Sequence, residues 1–430
     1  MPLQSHLLNQ LGQIYDQLGR GEDAIAAYQQ AIEISNSRND IAAVANALNS
    51  WGQLIARNSR RENRSNLAQP LFQTALNHFQ RLGDGQSASI VLSNLGQLYE
   101  ADTQPALAIL FYKQAVTQHE AIRNDLTNLS PTLQQSYLES ITPTYRRLAD
   151  LLLQQDRVLE AQQVVDLLKV QELDDYLRGV RGNENTQVGL DILASEQQIW
   201  DEYEQLNTAA IVIAKQLSAL SALERPLTEA EIQTRAQLTK QQGKIVRSFS
   251  EFSRQDDIVE YVEALTFTAR EQSLSLSRLQ DLSRNLKQFE DPTVLLYPLI
   301  LEDRLELVVV APGVPPTHTK VDVSRTQLNK TIQAFRRELN SPASNVKPTA
   351  QQLYNWLIRP IEAQLTEAQI ENILYAPDGP LRYIPLAALH DGEQWLIEQF
   401  GINNITAASI DDFTAPPPAN RQMLVGAFTD

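Results

Sequence analysis

Apolar residues in the first half of this chain recur at helical spacing, and in the last third they run together or alternate. Three phrases repeat in the first hundred residues: LNQLGQIY at 8–15, LNSWGQLI at 48–55 and LSNLGQLY at 92–99. Each is followed by a second helix-period segment with small and aromatic residues at set offsets. Gly12 is followed by Ala24, Tyr28 and Ala31, and Gly96 by Ala108, Tyr112 and Ala115. Gly52 reaches Ala68, Phe72 and Ala75 after four extra residues, in the polar stretch 58–66. A fourth, diverged unit fits Tyr145, Ala149, Leu152, Ala161 and Val165. The pattern predicts antiparallel helix hairpins stacked side by side. Gly and Ala allow close approach, and the aromatic ring fills the gap to the next hairpin. One hairpin alone cannot bury its apolar face, so several must stack.

Residues 148–177 read as one helical run that closes the array, and Gly179, Gly182 and residues 183–185 mark a break. Beyond it, Ile199, Tyr203, Leu206, Ala210, Ile213, Leu217 and Leu220 alternate steps of four and three. Arg225-Pro226 ends that run. Thr228 and Glu231 form a capping box for a second helix carrying Leu238, Ile245, Phe249 and Phe252. The expectation is a long antiparallel helical hairpin packed on itself, with an intermolecular coiled coil as the alternative. Lys240, Lys244 and Arg247 read as a solvated face.

From Pro292 the period changes. Residues 294–301 and 305–311 flank Glu302-Asp303-Arg304 as a hairpin, and 318–323 predicts a third strand. Ser324 or Thr326 caps a helix whose apolar face is Leu328, Ile332, Phe335 and Leu339. A linker with Pro342 and Pro348 precedes a second helix over 350–365, kinked at Pro360. Ile373, Leu374 and Tyr375 form a buried strand, followed by turn chemistry at Pro377-Asp378-Gly379-Pro380. Further extended segments are expected at 395–397, 402–405 and 423–427, with a loop at 416–418. This order predicts an α/β sheet.

The repeated phrases resemble the tetratricopeptide (TPR) family. The stretch ENILYAPDGPLRYIPLAAL at 371–389 resembles the start of the catalytic half of a CHAT domain, the caspase-like module related to separases and caspases. That family reads much like PDGPL-x-x-x-P-x-x-AL, here Pro377 to Leu381 through Pro385 to Ala388-Leu389. The segment KVQELDDYLRG at 169–179 is similar to one found in cyanobacterial CHAT proteins. The fold expected is therefore α plus α/β. Residues 1–180 are an α-solenoid of TPR hairpins, 181–290 a helical hairpin connector, and 291–430 the first part of a CHAT domain with an incomplete caspase-like sheet. The resemblance implies a cysteine endopeptidase that uses a His-Gly segment and a Cys downstream of the Pro-Asp-Gly-Pro turn. This chain of 430 residues has no cysteine, so a thiol nucleophile is impossible in it. Two readings stay open. The chain is part of a longer TPR–CHAT peptidase, or it is a complete non-catalytic TPR adaptor with a degenerate CHAT remnant.

Composition narrows the partners. A net charge of −16 repels nucleic acid and anionic membranes. No apolar run reaches a membrane-spanning length, and the N-terminus lacks a signal-peptide pattern. A cytoplasmic protein with no cofactor and no metal is expected.

The candidate binding residues follow from helix geometry, because positions four apart share a face. Asn9 and Gln13, Asn49 and Gln53, and Ser93 and Gln97 predict a polar ladder along the concave face of the first helices. Such a ladder suits an extended peptide backbone and lacks the Lys or Arg that a C-terminal carboxylate needs; the other reading is of merely solvated positions. Asp378 and Arg382 mark a possible site at the strand's carboxyl end, against the reading that Asp378 stabilises its own turn. His390 precedes Asp391-Gly392 with no nucleophile near it in sequence, and no catalytic residue is expected.

Overall fold

In the computed structural model the described residues are 2–126, 131–177, 190, 192–223, 225–262, 265, 286–287, 289–312, 314, 316–341 and 344–405. The expected break at residues 179–185, the strand at 423–427 and the loop at 416–418 lie outside them, as does Pro342. The chain divides into two compact units: residues 1–164 with 188–273, and residues 165–187 with 274–430.

The first unit is a stack of helix hairpins. They are α1 Pro2–Gln17 with α2 Gly21–Ser37, α3 Ile41–Asn58 with α4 Arg61–Leu82, and α5 Gly85–Ala101 with α6 Pro105–Leu126. A fourth pair follows, α7 Pro131–Gln154 with α8 Val158–Leu177. The expected single run over 148–177 is thus two helices. Its break is at Asp156, whose φ of +57 is the left-handed turn that ends α7. Asp40 and Asp84 begin α3 and α5 by accepting the N–H groups of Ala43 and Ser87 at 3.0 and 2.9 Å. The four extra residues of the second repeat lengthen α4 rather than a loop, since only Ser59 and Arg60 separate it from α3.

The glycine–aromatic offsets have a direct physical cause. A Cβ built on Gly52 would lie 2.7 Å from the Phe72 ring, and one on Gly96 would lie 2.9 Å from Tyr112. The rings sit where a side chain would be, so the hairpins close only on glycine.

Two further helices, α9 Ala194–Ser221 and α10 Glu229–Glu251, complete this unit. Thr228 and Glu231 make the expected capping box. The hairpin does not pack only on itself, because its seam enters the repeat array. Tyr203 of α9 meets Phe111 of α6 edge-on at 4.8 Å, and also Phe249 and Phe252 at 5.5 and 5.4 Å. Phe111 in turn stacks on Tyr99 at 5.1 Å. Tyr203 also donates to Gln73 of α4, and Asn207 bonds Gln73 and Gln80 at 2.9 and 2.7 Å. The apolar seam that sequence spacing assigned to a self-packed hairpin is used to cover the second helices of the repeats.

The second unit is built on a five-stranded mixed sheet of order β3-β2-β1-β4-β5. The strands are β1 Thr293–Ile300, β2 Leu305–Val310, β3 Thr317–Val321, β4 Asn372–Tyr375 and β5 Gly401–Asn404. β1, β2 and β3 form an antiparallel meander, while β4 runs parallel to both β1 and β5. Helices α11 Arg325–Leu339 and α12 Lys347–Leu357 lie in the crossover to β4. Ser324 caps α11 through the Gln327 N–H. Pro360 falls in a 3-10 turn, Arg359–Ile361, that separates α12 from the short helix α13 Glu362–Glu367. One sheet face packs Val294, Leu296, Leu307 and Ile373 against Leu328, Phe335, Leu353 and Leu357 of the helices. The opposite face is buried too, at Leu295, Tyr297, Leu299 and Val308, and Tyr297 donates to Asp166 of α8. Residues 395–397, expected as extended, enter the 3-10 turn Leu396–Glu398 instead. Leu396 is drawn into the core there, which a strand's alternation would not place so.

Candidate functional site

The face of the first helices α1, α3, α5 and α7 carries the predicted ladder. The structure divides its six residues into two groups. Gln13 donates to Ser50 of the next first helix at 3.2 Å. Asn49 accepts from Asn94 at 2.8 Å, and Ser93 pairs with Thr144 at 3.0 Å. These bonds step from α1 to α3 to α5 to α7 and knit the hairpins together. Asn9 is buried, and its Oδ1 has no hydrogen-bond partner among the described residues. Gln53 is half-buried and Gln97 exposed, and neither side-chain amide is hydrogen-bonded among the described residues. The open amides are therefore Gln53, Gln97 and the carbonyl end of Gln13.

Charges along this face are neutralised between neighbouring helices. Arg57 of α3 pairs with Asp16 of α1. Arg147 of α7 binds Glu100 of α5 through Nε at 2.7 Å, and Tyr112 donates to the same carboxylate at 3.3 Å. Burial, with the Glu100 charge second, raises the Tyr112 hydroxyl's pKa far above its usual value. Gln97, Glu100, Tyr112, Pro143, Thr144 and Arg147 line a cleft of about 430 Å³ between α5 and α7. Such a cleft offers amides and paired charges, and it suits a neutral polar backbone better than a lone carboxylate.

The second helices of the array hold polar residues that sequence spacing did not single out. Lys113 of α6 binds Glu160 and Glu196 at 2.6 and 2.7 Å. Arg157 binds the same two carboxylates at 2.6 and 2.7 Å. All four are buried, and their charges sum to zero. Burial opposes ionisation of Glu160, but Lys113 and Arg157 outweigh it and hold its pKa below the usual carboxylate value. The only sequence signal was a charge at a helix position where the repeat period calls for an apolar residue.

At the sheet end, Asp378 is fully buried and accepts the Ile300 N–H at 2.9 Å. The reading that it holds its own turn is replaced by a tie between the end of β4 and the end of β1. Gly379 follows it at φ +48, a left-handed conformation that glycine adopts without strain, and opens the 3-10 turn Gly379–Tyr383. Arg382 is half-buried on that turn. Tyr375 is buried with its hydroxyl unpartnered among the described residues; burial, then the Asp378 charge, raises its pKa. His390 is buried, and its Nδ1 accepts the Gly392 N–H at 2.9 Å, so its neutral ring carries hydrogen on Nε2. With Trp395 edge-on at 4.7 Å, it holds a turn. Glu306, the lone acid in the apolar strand β2, was also missed. It is buried, and Arg304 and His318 hold it at 2.7 and 3.0 Å. No group of metal-ligating side chains occurs among the described residues.

The architecture defines a helical-repeat protein joined to an α/β domain. Comparison with protein families gives both parts a family. Tetratricopeptide repeat models match residues 5–38 and 43–121, and the CHAT domain model matches residues 347–427. The chain thus has the TPR–CHAT architecture, tetratricopeptide repeats followed by a CHAT domain. The CHAT match opens at α12, so β1–β3 and α11 precede it. The fourth hairpin, α7 with α8, lies beyond the matched repeats. No curated protein and no solved structure matches the chain. No described helix is long and apolar enough to cross a membrane.

Proposed function

We propose that this chain is a protein-interaction module whose TPR face binds a neutral, polar, extended peptide, joined to a CHAT domain that performs no thiol chemistry. The observation that carries the binding reading is the pair of unbonded amides, Gln53 and Gln97, on a face whose charges are already paired. An unbonded amide offers a donor and an acceptor at the spacing of a peptide backbone. The absence of cysteine from all 430 residues supports the second half, since the family's mechanism needs a thiolate. The net charge of −16 supports a protein partner over nucleic acid.

The binding test is replacement of Gln13, Gln53 and Gln97 by Ala together, read by capture from a peptide library. Capture should weaken at least about tenfold, the equivalent of roughly 1.4 kcal/mol, with the helical circular dichroism unchanged. Unchanged capture would reject the groove. For the CHAT half, peptide hydrolysis that resists thiol reagents would overturn the inactive reading.

A further inference from the structure

The first repeat differs from the next two on one face. Leu7, Leu11, Ile14 and Leu18 lie along α1 and its last turn, and they are 53%, 38%, 51% and 67% exposed. Their counterparts in the second repeat, Ala47 and Leu54, are 0% and 1% exposed. In the third repeat Val91, Leu95 and Leu98 are 0%, 0% and 1% exposed. In those repeats the preceding hairpin supplies the cover; Leu54, for example, packs on Ala24 and Tyr28 of α2. The chemistry of α1 on this side is that of an interior face. Beside it is a cleft of about 350 Å³ lined by Leu7, Leu8, Leu11, Gln30, Glu33 and Ile34.

We propose that this face is a self-association site, with α1 of one chain packed antiparallel against α1 of a second copy. Three observations select a second copy. The steps from Leu7 to Leu18 are four, three and four, a two-heptad seam. The seam reaches Leu18, where the later repeats carry Asn58 and Asp102, so it runs one step past what a covering repeat hairpin requires. Charge is the third. The whole of α1 carries one charged side chain, Asp16, which is paired with Arg57. Elsewhere a chain of net charge −16 repels its own copy, and here it does not.

An antiparallel pair is isologous, so each contact occurs twice. Leu11 of one copy then faces Ile14 of the other, and Leu7 faces Leu18, with the two-fold axis between Leu11 and Ile14. The seam is about 16 Å long at 1.5 Å per residue, which puts the interface at the small end of the stable range and the dissociation constant near micromolar.

Sedimentation equilibrium of the whole chain tests this between about 1 and about 100 μM, the range around a micromolar dissociation constant. The mass should rise from 48.3 kDa toward twice that value. Leu11→Lys with Ile14→Lys should keep it at 48.3 kDa, and Ile397→Lys, at an exposed position of the other unit, should leave the dimer intact. Because the chain has no cysteine, single cysteines report the geometry. Leu11→Cys, near the axis, should cross-link under a mild oxidant, and Leu7→Cys should not. That pair of results decides the matter even where the double lysine variant loses helical signal. A chain monomeric throughout the range, a dimer that survives both lysines, or cross-linking at residue 7 in preference to residue 11 would overturn the proposal. So would a monomer whose stripe instead captures a helical hairpin of another polypeptide.

Discussion

The two compact units bury polar groups in opposite ways. In the repeat unit the buried polar residues are numerous and bonded to one another across helices: Gln73 with Asn207 and Tyr203, Lys113 and Arg157 with Glu160 and Glu196. In the sheet unit the face under α11 and α12 is apolar throughout, and polar groups such as Asp378 serve the ends of strands. The difference follows from what each must specify. Stacked helices meet through sparse side-chain contacts, and shape alone leaves alternative registers open. A sheet already has its register written in backbone hydrogen bonds. The polar network of the repeat unit thus does for helix docking what the ladder does for strands.

The sharpest way to break this comparison is Glu196→Ala. It leaves Lys113 and Arg157 buried with one carboxylate between them, and the repeat unit should lose about 3–5 kcal/mol in urea unfolding. Replacing all four charges with apolar residues of similar volume should cost far less. A large loss there would mean the charges stabilise the fold and do not merely specify it.

Acid should separate the two units next. Burial, with Arg81 second, lowers His78 to about 4, and burial lowers His119 to about 4. Both lie on repeat helices. Below about pH 6.5 the unfolded chain takes up protons that the folded chain refuses until about pH 4. Stability contributed by the neutral rings is therefore complete above pH 6.5 and falls as the pH drops toward 4. The loss is on the order of 2–3 kcal/mol per histidine. Glu160, held below its usual range, adds a loss of the same sign at lower pH. Unfolding followed by helical circular dichroism from pH 7.5 to pH 4.5, an interval of about 3 units, should show the fall. His119→Gln should flatten it.

Smaller effects come from single contacts. Gly96→Ala drives a methyl group into Tyr112 and should cost about 1–3 kcal/mol; the paired change Gly96→Ala with Tyr112→Leu should recover part of it. In the sheet unit, Asp378→Ala strips the Ile300 N–H of its partner and should cost about 1–3 kcal/mol. Asp378→Asn retains an acceptor and should cost less, which protection of the Ile300 amide in hydrogen exchange would register.

Much of this was legible before any coordinates. Gly12, Gly52 and Gly96, with their aromatic partners at the same offsets, spelled the hairpins because the repeat contact is local. The hairpin of β1 and β2, the Ser324 cap and the break at Pro360 were legible for the same reason. Of the ladder, the face was legible, but its division was not. Gln13, Asn49 and Ser93 bond the next first helix, whereas Gln53 and Gln97 stay open. Partners 37 to 51 residues apart leave no mark in local spacing.

By itself the sequence determined the hairpin period, the change to strands after Pro292, the two family resemblances and the absence of a thiol. All of these depend on neighbours within a turn or two, or on composition. The tertiary structure alone decided that α9 and α10 cover the repeats rather than each other, and that four buried charges meet beside them. It also decided that Asp378 ties two strands, and that α1 keeps an interior face uncovered. The physical reason is common to all four. An apolar or charged position states that it needs a partner, and only the folded chain states which one.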